Sequence, residues 1–141
     1  MSDTEERLRK LENKTRDIGG RFIPLQAPLT STAWDGDAYS TTAKTLIDLS
    51  AVFGVPAGVK AVLIRYAVND SGSAATDTYL ILSPNATADE GIAVSPQTVN
   101  DRRQRGAAVI PCNADGDIYY QIVASGAATF DVIIQIWGYW L

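Results

Sequence analysis

Two periods divide the chain. Between Thr4 and Ile18 the positions Leu8, Leu11, Thr15 and Ile18 repeat with 3-4-3 spacing, and Phe22 and Leu25 continue the count after a break. That is the a/d seam of a helix meeting other helices. Thr4 stands at or just outside an N-cap, Glu5 and Glu6 suit the first turn, and Gly19-Gly20 is a stop signal. Glu5–Arg9, Glu6–Lys10 and Glu12–Arg16 are i,i+4 pairs with the acid first, the more favourable order. From Thr45 the pattern changes to short apolar runs separated by turn residues. The strands expected are Thr45–Val52, Val59–Val68, Thr78–Leu82, Ile92–Ser95, Ala107–Ile110, Ile118–Ala124 and Thr129–Tyr139. Turn chemistry lies between them, as in Asn69-Asp-Ser-Gly72, Ser83-Pro-Asn85 and Ala114-Asp-Gly116.

This pattern predicts three parts. Residues 1–20 are a short N-terminal α-helix, residues 21–44 an extended connector with a loop or short strand, and residues 45–141 a β domain. Short strands with no helices between them predict an all-β fold, a jelly-roll-like antiparallel β-sandwich. In the last strand Phe130, Val132, Ile134 and Ile136 should face the core. Asp131, Ile133, Gln135, Trp137 and Tyr139 should face away, followed by Trp140 and Leu141. So much outward apolar surface is covered either by a loop or the connector, or by a neighbouring subunit through Ile133, Trp137 and Tyr139.

The front helix has a narrow apolar stripe and few turns, so alone it is marginal in water. A helix lying on a sheet would present a wider face. Self-association, as a trimer or another oligomer, competes with a solvated helical tail. Arg7-Leu8-Arg9-Lys10-Leu11-Glu12 resembles the R-h-x-x-h-E pattern of trimeric coiled coils. The resemblance implies an interchain pair between Arg7 and Glu12, with Leu8 and Leu11 as core layers and Thr15 and Ile18 extending the seam.

Charge changes the picture of partners. Residues 1–21 carry six Lys/Arg and five Asp/Glu, whereas residues 22–141 carry six against eleven. An acidic β domain argues against nucleic acid as its partner. No stretch is long and apolar enough to be read as a membrane helix, and MSDTEERLRK lacks the apolar core of a secretory signal. The expectation is a chain made in the cytoplasm and kept there or released by lysis. There is no histidine, which removes the commonest general base, the usual zinc sites and Ser-His triads. The lone Cys112 reads as a part-buried thiol without a base. No catalytic residue, metal or cofactor is expected. Asn113 to Asp117 lacks the Gly and Glu that a calcium loop would place after it, so a tight Asp-Gly hairpin is expected there. Asp89-Glu90 are adjacent and are not a positioned glycosidase pair. Trp34-Asp35-Gly36-Asp37 reads as a turn, with an exposed Trp34 as a candidate glycan contact. Arg102, Arg103 and Arg105 form the one basic cluster of the β domain and are candidate contacts for an acidic partner.

Two stretches carry a further resemblance. One runs from Gly54-Val-Pro-Ala-Gly58 through Asn69-Asp-Ser-Gly72 to Tyr79-Leu-Ile-Leu-Ser-Pro84. The other runs from Ala114-Asp-Gly-Asp-Ile-Tyr-Tyr120 through Ser125-Gly126 to Phe130-Asp-Val-Ile-Ile-Gln-Ile-Trp-Gly-Tyr-Trp140. Their order resembles β-sandwich domains of bacteriophage virion proteins. It is also similar to actinobacterial cell-surface β domains, from which this chain departs in lacking a signal peptide and adding the helix. The phage resemblance implies a non-enzymatic homotrimer on the virion surface: a capsid decoration protein, head fibre or tail fibre. Its implied partners are itself, the major capsid protein or another virion protein, and a host-surface glycan. The alternative is a carbohydrate-binding module in which Trp34, Tyr39 or Tyr119 stacks on sugars.

Overall fold

The structure, a computed structural model, describes residues 4, 5, 7, 21–34, 40–72, 78–94 and 102–141. Thr4, Glu5 and Arg7 are helical and exposed. Leu8, Leu11, Glu12, Thr15 and Ile18, and with them the expected coiled-coil seam, lie outside the described residues.

Among the described residues eight strands form two antiparallel sheets. They are β1 (Phe22–Leu29), β2 (Thr45–Ile47), β3 (Ala61–Asp70), β4 (Tyr79–Ser83), β5 (Ala93–Val94), β6 (Gln104–Pro111), β7 (Ile118–Val123) and β8 (Phe130–Trp140). One sheet has the order β1-β8-β3-β6 and the other β2-β7-β4-β5. The pairings are nested: β1 with β8, β2 with β7, β3 with β6 and β4 with β5. The pairs β3/β8 and β4/β7 join these ladders into sheets. The all-β reading therefore holds.

The core lies between the sheets because each strand alternates. Val62, Ile64 and Val68 of β3 are buried, as are Phe130, Val132, Ile134 and Ile136 of β8. They meet Ile47, Leu80, Leu82, Ile118, Tyr120 and Ile122 from the opposite sheet in one cluster. Burying this much apolar side chain is the main drive to the fold.

Three expectations about elements change. The run Thr45–Val52 is not one strand. Asp48 stops β2, accepts a hydrogen bond from the Ala51 N–H (3.1 Å), and so caps a short helix, α1 (Leu49–Phe53). Gly54 closes α1 in the left-handed conformation, φ 75°. The stretch 21–44 is not a mere connector either: Phe22–Leu29 is the edge strand β1, so the β domain starts before Thr45. Phe22 and Leu25 therefore belong to a strand and do not prolong the helical count. Finally, Asn113–Asp117 is not a hairpin, because β6 and β7 sit in different sheets. Asn113 Oδ1 instead accepts from Asp115 N–H (3.0 Å) and Asp117 N–H (2.9 Å), shaping a crossing between sheets.

Asp117 sits buried at that crossing and accepts from the Leu49 N–H at 3.0 Å. Burial raises its pKa, the Leu49 bond works against that, and Asp48 and Asp115 raise it further. A carboxyl whose folded pKa is raised contributes fully below its unfolded pKa, and loses that contribution as pH rises through the folded value. Asp117→Asn keeps an acceptor for Leu49. It is expected to raise the melting temperature by about 2–4 °C at neutral pH and to lose that advantage below about pH 4. Thermal melts at the two pH values test this, and equal melting at neutral pH would refute it.

Candidate interaction face

Paired residues share a face, so the register of β8, β3 and β6 writes out the solvent side of their sheet row by row. One row is Gly138–Leu63–Val109, the next Gln135–Arg65–Ala107, and the next Ile133–Ala67–Arg105. Beyond them Asp131 stands opposite Asn69, and Arg103 reaches Asp131 at 3.3 Å.

At one end this face is apolar. Phe22 of β1 pairs with Trp140 of β8, their ring centroids 4.4 Å apart. A Cβ at Gly138 would lie 2.5 Å from the Phe22 ring, so the glycine lets that ring pack directly against the strand. Phe22 (37 %) and Val109 (44 %) remain exposed, and Leu63, Trp137 and Trp140 are half-buried. The Trp137 indole N–H donates to Gln135 Oε1 at 3.2 Å, which fixes it on the outer side.

Here the expected alternation of β8 fails. Ile64 stands opposite Ile136, but the next residue of β3, Leu63, stands opposite Gly138. Trp137 is thus the extra residue of a bulge, and beyond it the parity reverses. Tyr139 pairs with the buried Val62 and packs against the core, so its expected outward placement is corrected. Trp140 takes the outer position instead.

The other end is basic. Arg65, Arg103 and Arg105 line a depression with Tyr66, Ala67, Ile133 and Gln135. Ile133, expected at a subunit contact, forms part of its wall and is 40 % exposed. Arg102 is exposed but does not line it. Sequence reading missed Arg65 and Gln135 as parts of one cluster. The available signal was a charged residue at outward parity inside the apolar run of β3.

Trp34 is not an exposed glycan contact. It is buried, edge-on to Tyr120 at 5.3 Å and near Phe53 at 6.4 Å, and its backbone N–H donates to Ser31 Oγ at 3.2 Å. Tyr39 lies outside the described residues, and Tyr119 is half-buried on β7. The reactive groups elsewhere are tied into the fold. Burial, aided by the charge of Asp117, pushes the Cys112 thiol up to about 12, so it stays protonated and unreactive. Lys44 donates to Ser83 Oγ and to the carbonyls of Asn85 (3.2 Å) and Glu90 (2.6 Å), clamping the turn after β4. Burial lowers its pKa against the raising effect of Glu90 and Asp89. Asp89 exchanges hydrogen bonds with the Gln121 side chain at 3.0 and 3.2 Å.

No protein-family model matches the chain, and no curated protein matches it.

Proposed function

We propose that the chain is a non-enzymatic structural protein of a virus particle. In this reading its β domain is a jelly roll, and its N-terminal helix joins three copies as a decoration protein or fibre. The observation that carries the reading is the nested pairing β1/β8, β2/β7, β3/β6, β4/β5. An antiparallel hairpin of eight strands rolled into two sheets has that order, and the jelly roll recurs in viral capsid and lectin domains. The chain also enters β1 at Phe22, beside the apolar end of the outer face. A helical seam at residues 8–18 would bring those ends of three copies together, with Phe22, Trp137 and Trp140 against a neighbour. Committing Cys112, Lys44 and the buried carboxylates to structure favours a binding role over turnover. Three linked copies would bind a capsid or host surface through avidity.

The second reading, a carbohydrate-binding module, loses Trp34. What favours a ligand role instead is the arginine-lined depression at the basic end.

Light scattering tests the assembly. The full chain is expected at three times its 15.1 kDa mass and a chain starting at Arg21 at the single mass. A trimer that survives the truncation would move the contact to the β domain. Monomers in both would refute the trimer. Co-sedimentation with capsids would then test the particle assignment.

A further inference from the structure

We propose that the depression between Arg65, Arg103 and Arg105 is a binding site for a carboxylate-bearing saccharide. It does not depend on the trimer or on the virion reading.

The site is built by pairing across three strands. Ala67 is the centre of the row Ile133–Ala67–Arg105, and its small side chain leaves a dip in the sheet surface. Arg65 stands one row to one side. Arg103, anchored on Asp131, stands on the other. The dip has a volume of about 200 Å³. Three of the six basic residues of 22–141 converge on it, in a segment with eleven acids. Among the described residues no ion pair joins Arg65 or Arg105 to an acid. Cations crowded on one face repel each other, and folding alone would favour acids opposite them.

The lining selects the ligand. Guanidinium forks match the planar carboxylate and can hold it through two parallel hydrogen bonds. Ile133, which is exposed, offers a small apolar wall for the C–H face of a ring, and the buried Ala67 closes the floor beneath it. Gln135 gives its Oε1 to the Trp137 indole, leaving its amide N–H groups for hydroxyls. The dip is smaller than the roughly 300–1,000 Å³ of pockets for drug-sized ligands, so it suits one ring with its substituents. A flat acidic protein surface would meet the arginines but leave the dip and its apolar wall unfilled.

The test is calorimetric titration of the full-length chain with glucuronate, with glucose and acetate as parallel probes. Glucuronate is expected to bind, glucose not to bind, and acetate to bind at least about tenfold more weakly. Arg65→Gln and Arg105→Gln should each weaken glucuronate by about tenfold. Ala67→Leu keeps all three arginines but fills the dip, and should abolish binding while the cooperative melt is retained. Three results would overturn the proposal: no glucuronate binding, acetate binding as well as glucuronate, or binding unchanged in Ala67→Leu. If the arginine variants alter only the mass in solution, the occupant is another copy of the chain and the saccharide site is refuted.

Discussion

Gly116→Ala is expected to cost about 3 kcal/mol or more and to lower the melting temperature by about 10 °C. Two effects add. Gly116 has φ +84°, where an L side chain costs about 1–2 kcal/mol. A Cβ there would also lie 2.6 Å from Gly58 N, 2.8 Å from Val59 N and 2.9 Å from Gly58 Cα. All three atoms are backbone, so no rotamer change relieves the contact. The segment they belong to is held by the Gly58 N–H bond to Asp115 O (3.3 Å) and seated in the core by Val55 and Val59. Pushing it away would lose that bond and open the core at both valines. Gly54→Ala is the control. It has φ +75° but nothing within 4 Å of the added carbon, so it should show the conformational part alone. Urea unfolding of both variants separates the terms. Equal costs at the two positions would refute the close-approach argument.

Gly116 also marks where the sequence was legible and where it was not. Asp115-Gly116 announced a turn, and a turn is there. That the turn crosses between sheets depends on β6 pairing with β3 and β7 with β4, which no local signal encodes. Alternation located β3, β4, β7 and β8 within a few residues, because one side of each meets a continuous core. It failed where a local cap overrode propensity, as at Asp48. It failed again where one extra residue reversed parity, as at Trp137. Phe22–Leu29 escaped because two prolines and a polar centre hide an edge strand whose partner, β8, lies more than a hundred residues away. Trp34 beside Asp35-Gly36 carried the local signature of a turn. Its burial is decided by Phe53 and Tyr120, which no nearby residue reveals. The candidate site was half legible. Arg102, Arg103 and Arg105 stand together in the sequence, but Arg65, Ala67, Ile133 and Gln135 join Arg103 and Arg105 only through register.

Asp70→Ala should destabilise the protein by about 3–5 kcal/mol at neutral pH, because it strips the acceptor from several donors at once. Asp70 ends β3 fully buried. Its Oδ1 accepts from the Gly72 N–H (2.9 Å) and the Ser125 hydroxyl (2.5 Å), and its Oδ2 from the Ser125 N–H (2.8 Å). Those bonds tie the exit of β3 to the turn between β7 and β8, where Ser71 N–H also donates to Thr129 O at 2.9 Å. Burial opposes the charge, but the hydrogen bonds from Ser125, Gly72 and Thr129 outweigh it and hold the pKa below the ordinary carboxylate value. A depressed folded pKa stabilises above the unfolded pKa, and that stability is lost as pH falls through the folded value. The gap between wild type and Asp70→Ala should therefore be full at neutral pH and narrow below about pH 4. Asp70→Asn should not rescue it, since an amide keeps the Oδ1 bonds but sets an N–H group against the Ser125 N–H. Denaturant unfolding at neutral and acid pH decides the matter. A gap that stays constant across that range would mean that the ionised carboxylate is not what locks the two turns together.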